Sequence, residues 1–185
     1  MNTASNNADD IDDRADDYLV ARGDSFLDED HEQQIRSELP EVDDASWTQF
    51  VRSMITAPLS AVSRSNALGL FEMTPRRLAD LGMVKRLTRS RSDEGRTVWV
   101  AVFVPPLSCE KFLKNPQTQY RVFGKSMRDY ANKLSSGEID RDPRMSLSGA
   151  LALLHRCGPQ GLETWKSGEK FPATMMAYDR VAGIF

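Results

Sequence analysis

The chain has 185 residues, of which 40% are hydrophobic and 28% are charged, and its formal net charge is -3. This length suits one domain of ordinary size. Two cysteines exclude a disulfide-dense scaffold, and two histidines offer too few ligands for a structural zinc site, so we expect no bound metal. No apolar run approaches the ~20 residues of a membrane span. The polar start of the chain is unlike a secretory signal peptide.

The charge is distributed very unevenly along the chain. Residues 1–50 contain 15 acidic and 3 basic side chains, whereas residues 51–185 contain 12 acidic and 21 basic ones. We predict an acidic extension over residues 1–42, disordered or bound to a partner, ahead of a folded domain over residues 43–185. The extension is either a solvated segment or an arm that docks on a partner or covers a basic groove.

Helix signals open the predicted domain. Ser46 and Gln49 have the spacing of a capping box, and apolar residues at helical spacing follow, which predicts a helix over residues 46–56. Thr74-Pro75 begins a second short helix, because proline is favoured at the first helical position. Gly82 is predicted to end it.

Residues 84–104 predict a β-hairpin. Its second strand is rich in branched and aromatic residues, and Ser92 to Gly95 provide the turn. The hairpin is strongly basic, with Lys85, Arg86, Arg89, Arg91 and Arg96. Three interpretations stay open for these charges: a solvated face, contact with nucleic acid or anionic peptidoglycan, and contact with an acidic protein.

The remaining chain is predicted to be helical. Pro116 opens a long helix with an apolar stripe at steps of three and four residues, and Ser136-Gly137 ends it. Ser146 caps a helix over residues 147–157, which Gly158-Pro159 terminates. A last helix is expected over residues 173–181. The chain contains neither a Gly-rich phosphate-binding loop nor a Gly-x-Ser-x-Gly elbow, so we expect no nucleotide cofactor.

Two stretches resemble one protein family. Residues 61–75 read Ala-Val-Ser-Arg-Ser-Asn-Ala-Leu-Gly-Leu-Phe-Glu-Met-Thr-Pro. They are similar to the Ala-Val-Ser-x-x-Gly-Ala-x-Gly-Leu-Met-Gln-x-x-Pro stretch of soluble lytic transglycosylases and goose-type lysozymes. Residues 148–162 resemble the family's later helix and turn, where an aromatic residue or histidine precedes Gly-Pro-x-Gly. The predicted fold is therefore α+β and mainly helical, a lysozyme-like domain with a small β-hairpin and an acidic N-terminal extension.

The resemblance implies a groove for the glycan strands of peptidoglycan, lined here by Gly69, Leu70, Phe71, Glu72 and His155. In that family one glutamate protonates the glycosidic oxygen, and the sugar's own hydroxymethyl group then closes an anhydro ring. The slot of that glutamate falls at residues 53–57, which contain no acid. Weak or no cleavage is therefore expected.

Glu72 is the local candidate for a substitute catalytic acid. It stands where the family usually has glutamine, and burial between Phe71 and Met73 would favour its protonated form. The alternative is a structural role, in which Glu72 bonds a backbone amide or an arginine such as Arg76. His155 has the same two interpretations, as a satisfied histidine on a helix face or as a groove residue. If Glu72 is not the acid, Glu38, Glu41, Asp43 and Asp44 are the next candidates.

The predicted function is binding or weak cleavage of peptidoglycan by a degenerate, transglycosylase-type protein. By resemblance, such a domain acts as a structural part of a tailed-bacteriophage particle, located in the virion or in the bacterial cytoplasm before assembly. Residues 1–42 would then contact other virion proteins. The alternatives are a non-enzymatic nucleic-acid-associated or assembly protein with a basic hairpin, and an active transglycosylase that uses Glu72.

Overall fold

Helices dominate the part of the chain that the computed structural model describes, which is residues 37–63, 66–91, 95, 97–168 and 172–185. The elements are α1 (Asp44–Met54), α2 (Pro75–Asp80), β1 (Val84–Arg91), β2 (Thr97–Phe103), α3 (Cys109–Lys114), α4 (Pro116–Ser135), α5 (Leu147–Cys157), α6 (Pro159–Ser167) and α7 (Pro172–Asp179). The prediction of a mainly helical α+β fold with a small hairpin is confirmed. Within the described residues, no helix combines the length and apolarity needed to cross a bilayer.

Most predicted helix starts are confirmed by side-chain caps. Thr74, Asn115 and Ser146 accept hydrogen bonds from backbone amides at the starts of α2, α4 and α5. The predicted capping box at Ser46 is wrong, because α1 begins earlier and its cap is Asp43. The Asp43 carboxylate accepts from the amides of Ala45 and Ser46 and from the Ser46 hydroxyl, and these bonds lower the pKa of Asp43.

The described hairpin is antiparallel, and its register is set by pairs such as Arg89 with Trp99 and Leu87 with Ala101. A β-bulge lies between Val84 and Arg86. Val84 and Phe103 are buried at its base, whereas the far end is exposed. The predicted turn at Ser92–Gly95 falls mostly outside the described residues, which include Gly95 alone of the four.

The core is centred on aromatic rings from distant parts of the chain. Phe123 of α4 stacks on Phe71 with 4.1 Å between ring centroids, and it also stacks on Phe50 of α1 at 6.2 Å. All three side chains are fully buried. Of the residues that the sequence predicts to share one core, Tyr120 is partly exposed and the others are buried, namely Trp47, Phe50, Met54, Leu70, Phe71, Phe123, Met127, Leu151 and Leu154. These rings hold the 61–75 stretch against α4.

The predicted boundary at residues 42 and 43 needs correction. Leu39 and Val42 are 2% and 7% exposed, so residues assigned to the extension belong to the core. The sequence signal was missed because two apolar residues among acidic ones do not form a periodic pattern. Residues 1–36 lie outside the described part of the chain, and their predicted disorder stays a prediction.

One buried arginine ties α2 to α4. Arg77 is 7% exposed, and its guanidinium donates to the Ser126 hydroxyl at 2.7 Å, the Ser126 carbonyl at 2.8 Å and Asp129 at 2.9 Å. It also lies 3.8 Å from the ring centroid of Tyr130. The charge of Arg77 is thus fully engaged inside the fold.

Candidate functional site

Glu72 closes a tight loop at the centre of the 61–75 stretch. Leu68 and Met73 exchange backbone hydrogen bonds of 3.0 Å in both directions, and the Glu72 amide donates to the Gly69 carbonyl at 3.0 Å. Glu72 therefore takes a φ of +48°, a left-handed conformation that is unfavourable for a residue with a Cβ. This strain persists only because surrounding contacts hold the side chain in place.

Those contacts come from Thr56 and Arg156, two residues that are far apart in the sequence. Arg156 of α5 donates from Nη1 to Glu72 Oε2 at 2.6 Å, and Thr56 donates its hydroxyl to the same oxygen at 3.0 Å. Arg156 also donates from Nη2 to the Thr56 hydroxyl. The Glu72 and Arg156 side chains are 33% and 22% exposed, so water still reaches the group. We call Thr56, Glu72, His155 and Arg156 the loop–helix junction.

His155 fastens the other side of the loop. Its Nε2 lies 2.6 Å from the Phe71 carbonyl oxygen, and because a carbonyl only accepts, Nε2 carries the proton. The ring meets Phe123 edge-on at 5.2 Å. Withdrawal of the imidazole from water, helped by the neighbouring charge of Arg156, lowers the pKa of His155 from 6.5 to about 3. His155 is therefore neutral at pH 7.

Gln119 of α4 holds the loop through hydrogen bonds to its backbone. Its Oε1 accepts from the Leu70 amide at 2.8 Å, and its Nε2 donates to the carbonyls of Leu59 and Phe112 at 2.9 Å each. A Cβ added at Gly69 would come within 2.1 Å of Gln119, and Gly69 has a φ of +72°. Gly69 is thus required by both conformation and space.

The slot predicted for the family's catalytic glutamate has a structural role here. Met54 is 2% exposed and belongs to the core. Thr56 is the residue of this slot that reaches the junction, through its contacts with Glu72 and Arg156. Of the fallback acids, Glu38 pairs with Arg128 at 2.6 Å and Asp43 caps α1.

A cleft of about 870 Å³ adjoins the junction, and its lining includes Thr74, His155 and Arg156. Its size is typical of small-ligand sites. Among the predicted groove residues, His155 lines this cleft. The side chains of Leu70 and Phe71 are buried in the core, so they cannot offer a side-chain surface to a sugar. The prediction for these two residues needs correction, because their apolar side chains are needed beneath the loop.

The geometry favours the structural interpretation of Glu72 at rest. Both Thr56 and Arg156 direct hydrogens at Oε2, so this oxygen acts as an acceptor rather than as a proton donor. The predicted bond to an arginine is present, but the partner is Arg156, whereas Arg76 is exposed. A general acid must present its proton to the leaving oxygen. Glu72 would first have to leave Arg156.

Sequence reasoning missed three residues of this site, namely Thr56, Gln119 and Arg156. Arg156 directly follows His155, and its position in the 148–162 stretch was the one available signal. The described residues bring together no cluster of histidine, cysteine or carboxylate side chains that could hold a metal ion. Comparisons with protein families, with curated proteins and with solved structures find no match to this chain.

Proposed function

We propose that this protein binds peptidoglycan through a lysozyme-like groove and cleaves it weakly or not at all. The observation that supports this proposal is the meeting of the two stretches that resemble transglycosylases. Residues Phe71 and Glu72 of one stretch bond to His155 and Arg156 of the other, 84 positions away. In such a site Arg156, which lines the cleft, would donate hydrogen bonds to sugar hydroxyl or carboxyl groups.

The weakness of cleavage follows from the same residues. The acid-free slot leaves Glu72 as the nearest carboxyl, and its Oε2 already accepts two hydrogen bonds. General acid catalysis contributes typically ~10²–10⁴-fold, so its loss leaves binding without efficient turnover. The competing hypothesis is an active transglycosylase in which substrate displaces Arg156 and frees Glu72.

The test is cosedimentation of the full chain with insoluble peptidoglycan, together with analysis of released anhydro-sugar products. We expect salt-resistant binding and little product. Arg156→Gln should weaken binding, whereas Arg121→Gln, which removes an exposed charge on α4, should not. Absence of binding by the folded protein would refute the proposal. Robust product release that Glu72→Gln abolishes would establish the active alternative.

A structural place in a bacteriophage particle is a further part of the proposal, supported by the resemblance and by the acidic composition of residues 1–42. Deletion of residues 1–36 should then prevent incorporation of the protein into particles. The described domain should stay folded, because the truncated chain keeps Leu39, the first buried apolar residue among those described. Normal incorporation of the truncated chain would contradict this assembly role.

A further inference from the structure

The basic side chains of the hairpin differ from many of those elsewhere in the described chain. Several of the other cations pair with carboxylates, as Lys114 does with Glu110 and Arg144 with Asp142. On β1, Lys85, Arg86, Arg89 and Arg91 are exposed, and none of them has a carboxylate partner among the described residues. Neither strand contains an acidic residue. The four cations therefore have no ion pair in the described fold, and the nearest acids in the sequence, Asp93 and Glu94 of the turn, lie outside the described residues.

The strand register places two of the arginines and a tryptophan on one face of the hairpin. Arg89 pairs with Trp99 and Arg91 with Thr97 across the ladder, and residues two apart on a strand share a face. Arg89, Arg91 and Trp99 therefore lie on the same face, which we call the basic face. The Arg89 guanidinium lies 4.8 Å from the Trp99 ring centroid, and Trp99 is 42% exposed.

This combination has a clear chemical meaning. An exposed tryptophan offers a flat surface on which any of the nucleobases can stack, so such binding does not depend on the nucleotide sequence. Two guanidiniums beside it can each contact a backbone phosphate. An acidic peptide would satisfy the charges but would leave the indole surface without a matching partner.

We propose that the basic face binds single-stranded nucleic acid, with Arg89 and Arg91 on phosphates and Trp99 stacked on a base. The preference for a single strand follows from the stacking, because bases of a duplex already stack on one another. The proposal is independent of peptidoglycan binding, since the basic face and the loop–helix junction share no residue.

The experiment measures binding of the full chain to a fluorescent oligothymidylate over a range of salt concentrations. We expect affinity to fall with salt, and Arg89→Gln/Arg91→Gln to reduce the magnitude of the salt slope by about 1.4, the value for two phosphate contacts on a single strand. The control Arg121→Gln/Arg180→Gln removes the same charge from exposed helical and C-terminal positions and should leave the slope unchanged.

Stacking is tested separately at Trp99. Trp99→Ala should weaken binding about tenfold, whereas Trp99→Phe should retain most of the affinity. Binding of the oligonucleotide should quench the tryptophan fluorescence of the wild-type protein, and this quenching should be absent in Trp99→Phe. Circular dichroism of each variant checks folding, and the Phe variant keeps the test valid if the Ala variant loses its hairpin.

Three outcomes would overturn the proposal. An equal reduction of the salt slope in Arg89→Gln/Arg91→Gln and in Arg121→Gln/Arg180→Gln would show a general charge effect. Equal binding by Trp99→Ala and Trp99→Phe, with no quenching in the wild type, would exclude stacking. Tighter binding of polyglutamate than of the oligonucleotide would assign the basic face to an acidic protein instead.

Discussion

Arg156 at the loop–helix junction donates to Glu72 and Thr56, whereas Arg89 and Arg91 on the hairpin contact no carboxylate among the described residues. The first arginine joins parts of the chain that are 84 and 100 positions apart. The other two stand on the exposed part of a ribbon whose fully buried residues, Val84 and Phe103, lie at its base. The same residue type therefore forms an ion pair within the fold in one region and is left without a carboxylate partner among the described residues in the other.

Replacement of one arginine in each kind of environment should show the largest contrast. Arg77→Gln should lower the free energy of unfolding by about 3 kcal/mol, because it leaves the buried oxygens of Ser126 and the partly exposed carboxylate of Asp129 without their donor. Arg89→Gln removes the same charge from an exposed strand and should change stability by less than about 0.5 kcal/mol. Urea unfolding of both variants measures the difference. Similar values would mean that the hairpin is more strongly integrated than its exposure indicates.

A pair of glycines tests how rigidly the junction loop is packed. Gly69 and Gly82 have φ values of +72° and +73°, but a Cβ at Gly69 meets Gln119 whereas none of the neighbouring atoms comes within 4 Å of one at Gly82. Gly69→Ala should therefore be more destabilising than Gly82→Ala by about 1–3 kcal/mol, the usual cost of overpacking. Thermal unfolding of both proteins gives the comparison. Equal losses would show that Gln119 moves aside freely.

A double-mutant cycle measures the coupling energy of the ion pair between Glu72 and Arg156. Glu72→Gln and Arg156→Gln, alone and combined, should give a coupling energy of about 1–2 kcal/mol, since both side chains are partly exposed and solvent screens the pair. Coupling near zero would mean that Arg156 is already available to a ligand. The matched exposed pair is Glu110 with Lys114, for which a smaller coupling energy is expected because water surrounds both side chains.

The last expected effect is an acid sensitivity that His155 contributes. Its pKa is about 3 in the fold and 6.5 as the ordinary value, so between these pH values the unfolded chain binds the extra proton. Its contribution to stability is therefore fully present above pH 6.5 and is lost as pH falls toward 3, by at most about 1.4 kcal/mol per pH unit. Urea midpoints of the wild type and His155→Gln between pH 7 and pH 5 should converge as the solution is acidified. A constant gap would show that His155 does not titrate with unfolding.

Local signals determined much of the fold. Thr74-Pro75, Pro116, Ser146 and Gly158-Pro159 mark helix ends because caps and proline act through bonds to amides within one turn. The hairpin was predictable for the same reason, since branched residues on either side of a turn favour paired strands. The misplaced cap at Ser46 marks the limit of this reasoning, because Asp43 starts the helix three residues earlier and accepts hydrogen bonds from the amides of Ala45 and Ser46 and from the Ser46 hydroxyl.

Tertiary structure decided the roles of the site residues. The sequence identified Glu72 as a carboxyl that needs a partner, but nothing local distinguishes Arg76, four positions away, from Arg156, which lies 84 positions away and supplies the bond. Likewise the Leu70 and Phe71 side chains turn inward because Phe123, from a distant helix, provides the ring on which Phe71 stacks. Local patterns fix where a helix or strand begins, since their bonds are short in sequence. Which charged groups are paired and which remain free depends on contacts between distant segments, and these exist only once the chain has packed.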